Sequence, residues 1–110
     1  MRVCTKLAML FILSLPAWSG VGAAELTAPE LIRLVRQDCG ACHGMTLKGG
    51  LGKPLTREAL AGQSPEALAV IILHGKQGTA MPPWKSLLSE AQAHWIAERL
   101  LAGFPEEPQP

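Results

Sequence analysis

Beyond its apolar amino-terminal run, this chain has two cysteines, and they stand three apart: Cys39-Gly-Ala-Cys42, followed at once by His43. No other feature limits the fold as much. A chain of 110 residues makes one small domain. A core of that size is marginal and normally needs a staple. Two cysteines so close together cannot tie distant parts of the chain. The missing support must come from elsewhere, and a large apolar cofactor would supply it.

The Cys-x-x-Cys-His spacing is that of c-type haem attachment. Two thiols at the end of a helix reach the two haem vinyl groups as thioethers, and the histidine that follows falls under the iron. Covalent attachment of one haem per chain would hold the group in a domain too small to enclose it. Competing readings fit less well. A thioredoxin-like redox pair calls for a βαβ pattern, which is absent. A zinc site needs four ligands, for which only His74 and His94 remain as candidates.

Residues 1–24 read as a secretory signal peptide, cleaved after Ala23 or Ala24. Arg2 and Lys6 form the positive region, Leu7 to Leu15 the apolar run, and Pro16 stops it. That run is well short of the roughly 20 apolar residues that span a bilayer, so no membrane span is expected in the mature protein. Cys4 precedes the apolar run, which argues against lipoprotein processing. The leader places the mature chain outside the cytoplasm. The leader holds two of the ten basic residues and none of the nine acidic ones, so the mature domain has net charge −1. No basic face invites nucleic acid.

The mature chain reads as helices and loops, without a convincing strand. Thr27-Ala-Pro-Glu30 forms a capping box with proline in the first turn. Leu31, Leu34 and Val35 give that helix one apolar face, and it is expected to run to about Cys39. Gly49, Gly50, Gly52 and Pro54 mark a loop. Thr56 to Ala61 suits a short helix. Ser64-Pro-Glu66 opens the next helix, with Leu68, Ile71 and Ile72 on its apolar face and Gly75 at its end. A second loop covers residues 75–87. Ser89-Glu-Ala-Gln92 is another capping box. It starts a helix that runs to about Ala102 and buries Ala93, Ile96, Ala97 and Leu100. The folded domain is expected over residues 25–104, with 105–110 a disordered tail.

The sixth iron position is assigned to Met81, within Thr79-Ala-Met-Pro-Pro-Trp84. It lies far along the chain from His43, and the two prolines behind it stiffen the loop. A thioether favours the reduced iron and raises the potential. Met45, two residues after His43, stays on the proximal side. His74 reads as a histidine at a helix C-terminus. His94, with Glu90 and Glu98 four residues to either side, reads as a polar stripe. Two readings of Trp84 stand: an indole N–H offered to a haem propionate, or plain loop packing. For Trp95, opposite the apolar face of its helix, the choice is between packing and a partner contact, with packing the commoner.

From the helix entering Cys39-x-x-Cys42-His43-Gly44 to the closing helix, residues 27–103 resemble a class I cytochrome c. The resemblance implies an all-α fold, with three main helices plus loops wrapped around one covalently bound haem. It also implies a crossing of the first and last helices, here packed by Leu31, Leu34, Ile96 and Leu100. In that family the histidine's second nitrogen donates to a backbone carbonyl. The matching stretch is Gly52-Lys-Pro-Leu55, so the acceptor is Lys53 or Pro54. The passages Gly49-Gly-Leu-Gly52, Pro54-Leu-Thr56, Glu58-Ala-Leu60, Ile72-Leu-His-Gly75 and Met81-Pro-Pro-Trp84 are similar to the small periplasmic cytochromes encoded with cytochrome cd nitrite reductase in denitrifying bacteria.

That resemblance implies an electron carrier rather than an enzyme, with the nitrite reductase, or enzymes that make its haem d, as redox partner, and an upstream donor. Lys48, Lys53, Lys76 and Lys85 lie on the loops expected to frame the haem edge. They read either as a docking ring for an acidic partner or as ordinary solvated lysines. The alternatives are a small haem enzyme or gas-binding protein with a labile sixth ligand, and an assembly factor for haem d insertion.

Overall fold

The structure, a computed structural model, describes residues 25–106. The expected leader and residues 107–110 lie outside the described residues. All regular structure among the described residues is helical. Helix α1, Ala28–Leu34, begins at the expected capping box: the Glu30 carboxylate accepts from the Thr27 N–H at 2.7 Å and from its hydroxyl at 2.8 Å. Those bonds, the backbone one foremost, hold the Glu30 carboxyl below its ordinary range.

The first helical run passes beyond Cys39. It widens into a π-helical segment, Val35–Cys39, and returns to α-helix as α2, Gly40–His43. Gly40 is buried in helical conformation, and the chain leaves the helix at Gly44, whose φ of 89° suits glycine. Helix α3, Pro65–His74, has Ser64 as its cap, with the Ala67 N–H donating to Ser64 Oγ at 3.1 Å. Helix α4, Glu90–Ala102, starts at the expected reciprocal bonds between Ser89 and Gln92. The segment Thr56–Ala61 does not become a helix. Its bonds mix spacings, with Leu60 N–H donating to Thr56 and Ala61 N–H to Glu58, while the Thr56 hydroxyl takes the Ala59 N–H. Leu60 alone is buried there, too little apolar surface to hold a helix against the core.

Helices α3 and α4 form the most extensive helix pair. Ala93 and Ala97, both without exposed surface, keep α4 thin where it packs. Ile96 is 2% exposed, a burial that contributes roughly 1.5–3 kcal/mol. The first helical run joins the same core through Leu31 and Val35, with Leu34 at its edge, and Leu47, Leu60 and Leu88 enter from the loops. On α3 the buried residues are Leu68, Ala69 and Leu73, while Ile71 and Ile72 are half-buried. The buried amide of Gln92 donates to the Leu26 carbonyl at 3.2 Å and ties the chain before α1 to the start of α4.

Candidate functional site

The site begins at the end of the first helical run. Cys39 and Cys42 are both free thiols, the first half-buried and the second exposed. Burial, with the Asp38 charge second, pushes the Cys39 thiol up to about 11. His43 closes α2, and the glycine-rich loop folds back onto that last turn. Gly49 N–H donates to the His43 carbonyl at 2.8 Å, and Gly52 N–H to the Cys42 carbonyl at 2.7 Å. The loop can approach so closely because Gly50 and Gly52 have no side chains. A Cβ on Gly52 would stand 2.8 Å from His43 Nδ1, and one on Gly50 would stand 2.8 Å from the Cys42 carbonyl oxygen.

The same loop aims the imidazole. His43 Nδ1 lies 2.6 Å from the Lys53 carbonyl, the first of the two acceptors expected. A carbonyl only accepts, so Nδ1 carries the proton. In a neutral ring so protonated, Nε2 has the free lone pair, the form in which imidazole binds a metal. Met45 stays beside the helix that carries the motif: a methyl on Gly40 would come within 3.4 Å of its sulfur.

Met81 lies on a loop that leaves the end of α3 and returns to it. Trp84 N–H donates to the carbonyls of Ile72 and Leu73, and Lys85 N–H to Leu73, which satisfies two of the last carbonyls of the helix. Between those ends the loop closes on itself. Thr79 N–H and Thr79 Oγ1 both donate to the Lys76 carbonyl, at 3.2 and 2.7 Å, and Thr79 Oγ1 accepts from Met81 N–H at 3.3 Å. The Met81 carbonyl accepts from Lys76 N–H at 3.4 Å. Gly75, at φ 70°, packs so tightly that a Cβ would lie 2.6 Å from that carbonyl oxygen. Met81 itself is half-buried.

Several contributors were not singled out from the sequence. Thr79 organises the Met81 loop; its place one residue after Gly78, which has φ 76°, was the available signal, since a tight turn asks for a left-handed residue there. Arg36 is 8% exposed and bonds to the carbonyls of Phe104 and Pro105, contacts no local pattern announces. His94 is more than a polar stripe: its ring nitrogens lie 3.4 Å from Glu66 on α3 and 3.4 Å from Glu98 on α4, bridging the two helices. His74 is exposed at the end of α3. Trp84 and Trp95 both pack against the core, and Arg99 stacks over Trp95 at 5.7 Å. Among the described residues, no group of three or more histidine, cysteine or acidic side chains could hold a metal ion, so the zinc reading has no support there.

Two free thiols and an oriented imidazole fit the donor set of haem c. An all-helical frame that delivers them from one helix end defines the class of small c-type cytochromes. The chain belongs to that class: the family described as "Cytochrome C oxidase, cbb3-type, subunit III" matches residues 26–98. It is 58% identical over 72 residues to a cytochrome c55X of Paracoccus denitrificans, covering 66% of this chain and 70% of that one. Among solved structures it resembles a c-type cytochrome NirC, with a TM-score of 0.64 and 50% identity over 66% of this chain and 85% of that chain. It also resembles the dihydro-heme d1 dehydrogenase NirN in complex with DHE, with a TM-score of 0.63 and 38% identity over 74% of this chain but 18% of that one.

Proposed function

We propose that the chain is a periplasmic electron carrier. It holds one haem c through thioethers from Cys39 and Cys42, with His43 and Met81 as axial ligands. Its redox partner is cytochrome cd nitrite reductase. When bound, the haem supplies a one-electron centre. The chain's own residues keep that centre unreactive: His43 is locked in one tautomer, and Met81 is held on a loop that leaves the end of α3 and is bonded back to it through Trp84 and Lys85. The observation that carries the reading is the His43 Nδ1 to Lys53 carbonyl contact of 2.6 Å, made possible by Gly52. A histidine so fixed is built to ligate. The leader supports export, and no described helix is long and apolar enough to cross a membrane. Lys48, Lys53, Lys76 and Lys85 are all exposed, as docking side chains must be.

A second reading has its own support. The likeness to part of a dihydro-heme d1 dehydrogenase favours electron transfer during haem d maturation. The test mixes the reduced protein with oxidised nitrite reductase in a stopped-flow instrument. Direct delivery predicts second-order oxidation that slows as salt rises, because lysine steering is screened. A salt-independent rate would remove the lysines from the account, and no oxidation would remove the partner. A gene deletion separates the second reading: nitrite reductase that lacks haem d points to maturation, whereas loaded enzyme points to delivery.

A further inference from the structure

The segment Val35–Cys39 is a π-helical turn, and such turns are rare, less stable than α-helix and concentrated at functional sites. Something must hold it open. The only charged side chain buried with it is Arg36. Its guanidinium grips the chain end that follows α4: Nε donates to the Pro105 carbonyl at 3.1 Å, and Nη2 donates to Pro105 at 2.8 Å and Phe104 at 3.0 Å. The same guanidinium lies 5.6 Å over the Phe104 ring and 3.5 Å from Glu106. These contacts join residues 68 and 69 positions apart.

We infer that Arg36 is a positioning residue: by tying the π-turn to residues 104–106, it sets the rotation of the Cys39–Cys42–His43 turn about the helix axis. A relaxed α-helical turn would differ by one residue, and one residue is about 100° of rotation. The thiols and imidazole would then face a different direction from the one the Gly49–Gly52 loop is built to receive. The planar fork matters because two carbonyls are bridged at once; a lysine carries the same charge on a single ammonium and cannot span them in the same way. The inference rests on Cys39, Cys42 and His43 being the residues that hold the haem.

The experiment compares the loaded full chain with Arg36→Gln, Arg36→Lys and a chain ended after Gly103. Proton NMR reads the His43 ring and the two cysteine thioether groups, and urea titration reads stability. All three variants should shift the His43 and cysteine resonances in the same direction, and combining Arg36→Gln with the shortened chain should add little to either change. Reduced stability with unshifted resonances would make Arg36 a plain structural tie and overturn the inference. A wild-type pattern in Arg36→Lys would show that charge, not the fork, is what counts, and would overturn it too. These resonances arise on the His43 side, so loss of Met81 ligation in the parent protein would count against the proposed function and leave this inference standing.

Discussion

Gly52 shows how a single missing side chain sets the chemistry of its neighbour. The His43 ring and the Lys53 carbonyl meet at 2.6 Å only because nothing projects from Gly52. Replacing it with alanine would bring a methyl within 2.8 Å of Nδ1, against backbone that is bonded to Cys42. The ring must give way and lose its acceptor. Gly52→Ala should cost about 1–3 kcal/mol for the orphaned polar group. It should also raise the midpoint potential, because a less basic imidazole stabilises the oxidised iron less. Redox titration and urea unfolding check both; an unmoved potential would show that the Nδ1 bond does not tune the ligand. Leu47 makes the opposite trade. It takes a left-handed φ of 59° yet is 3% exposed. The backbone cost of roughly 1–2 kcal/mol is offset by roughly 1.5–3 kcal/mol of leucine burial.

At the scale of elements, local chemistry was legible and long-range chemistry was not. The capping boxes at Thr27 and Ser89, the Ser64 cap and the buried face Ala93, Ile96, Ala97 and Leu100 all follow from neighbours four positions apart or fewer along one helix, and all are present. The π-turn was invisible because its support, the Arg36 grip on Phe104 and Pro105, comes from the far end of the chain. The turn region at Thr56–Ala61 suits a short helix because propensity there is adequate; burial of Leu60 alone is not enough to form one. The caps also make an acid prediction. The carboxyls of Glu30 and Glu66 are depressed in the folded chain, Glu30 mainly by the Thr27 N–H and Glu66 mainly by its own backbone N–H, then by His94. Their contribution is therefore present above the ordinary carboxylate range and is lost as pH falls through the lowered folded values. Glu30→Gln should lower the melting temperature at pH 7 and should approach wild type when both proteins are melted in strong acid. A difference that persists unchanged across that range would show that the charge is not what stabilises the cap.

At the scale of the whole molecule, the described residues form a small helical frame with two long loops, one folded back on His43 and one carrying Met81. The segments flanking the helices are tied in by different bonds: Leu26 by Gln92 near the start of α4, and residues 104–106 by Arg36. The motif Cys39-Gly-Ala-Cys42-His43 was legible as one unit, because all its parts lie on one helix end. The proposed Met81 ligand depends on where a loop 38 residues further on comes to rest. The sequence offered Met81 and its prolines, and the folded chain adds the Thr79 bonds and the return to α3 that hold it. Whether that loop closes the sixth position separates a carrier from a gas-binding or catalytic haem. The visible spectrum of the reduced protein under carbon monoxide measures it directly. Wild type should stay six-coordinate, low-spin and unchanged by the gas, while Met81→Ala should bind carbon monoxide rapidly. Rapid binding by wild type, or an unaltered spectrum in Met81→Ala, would contradict the account.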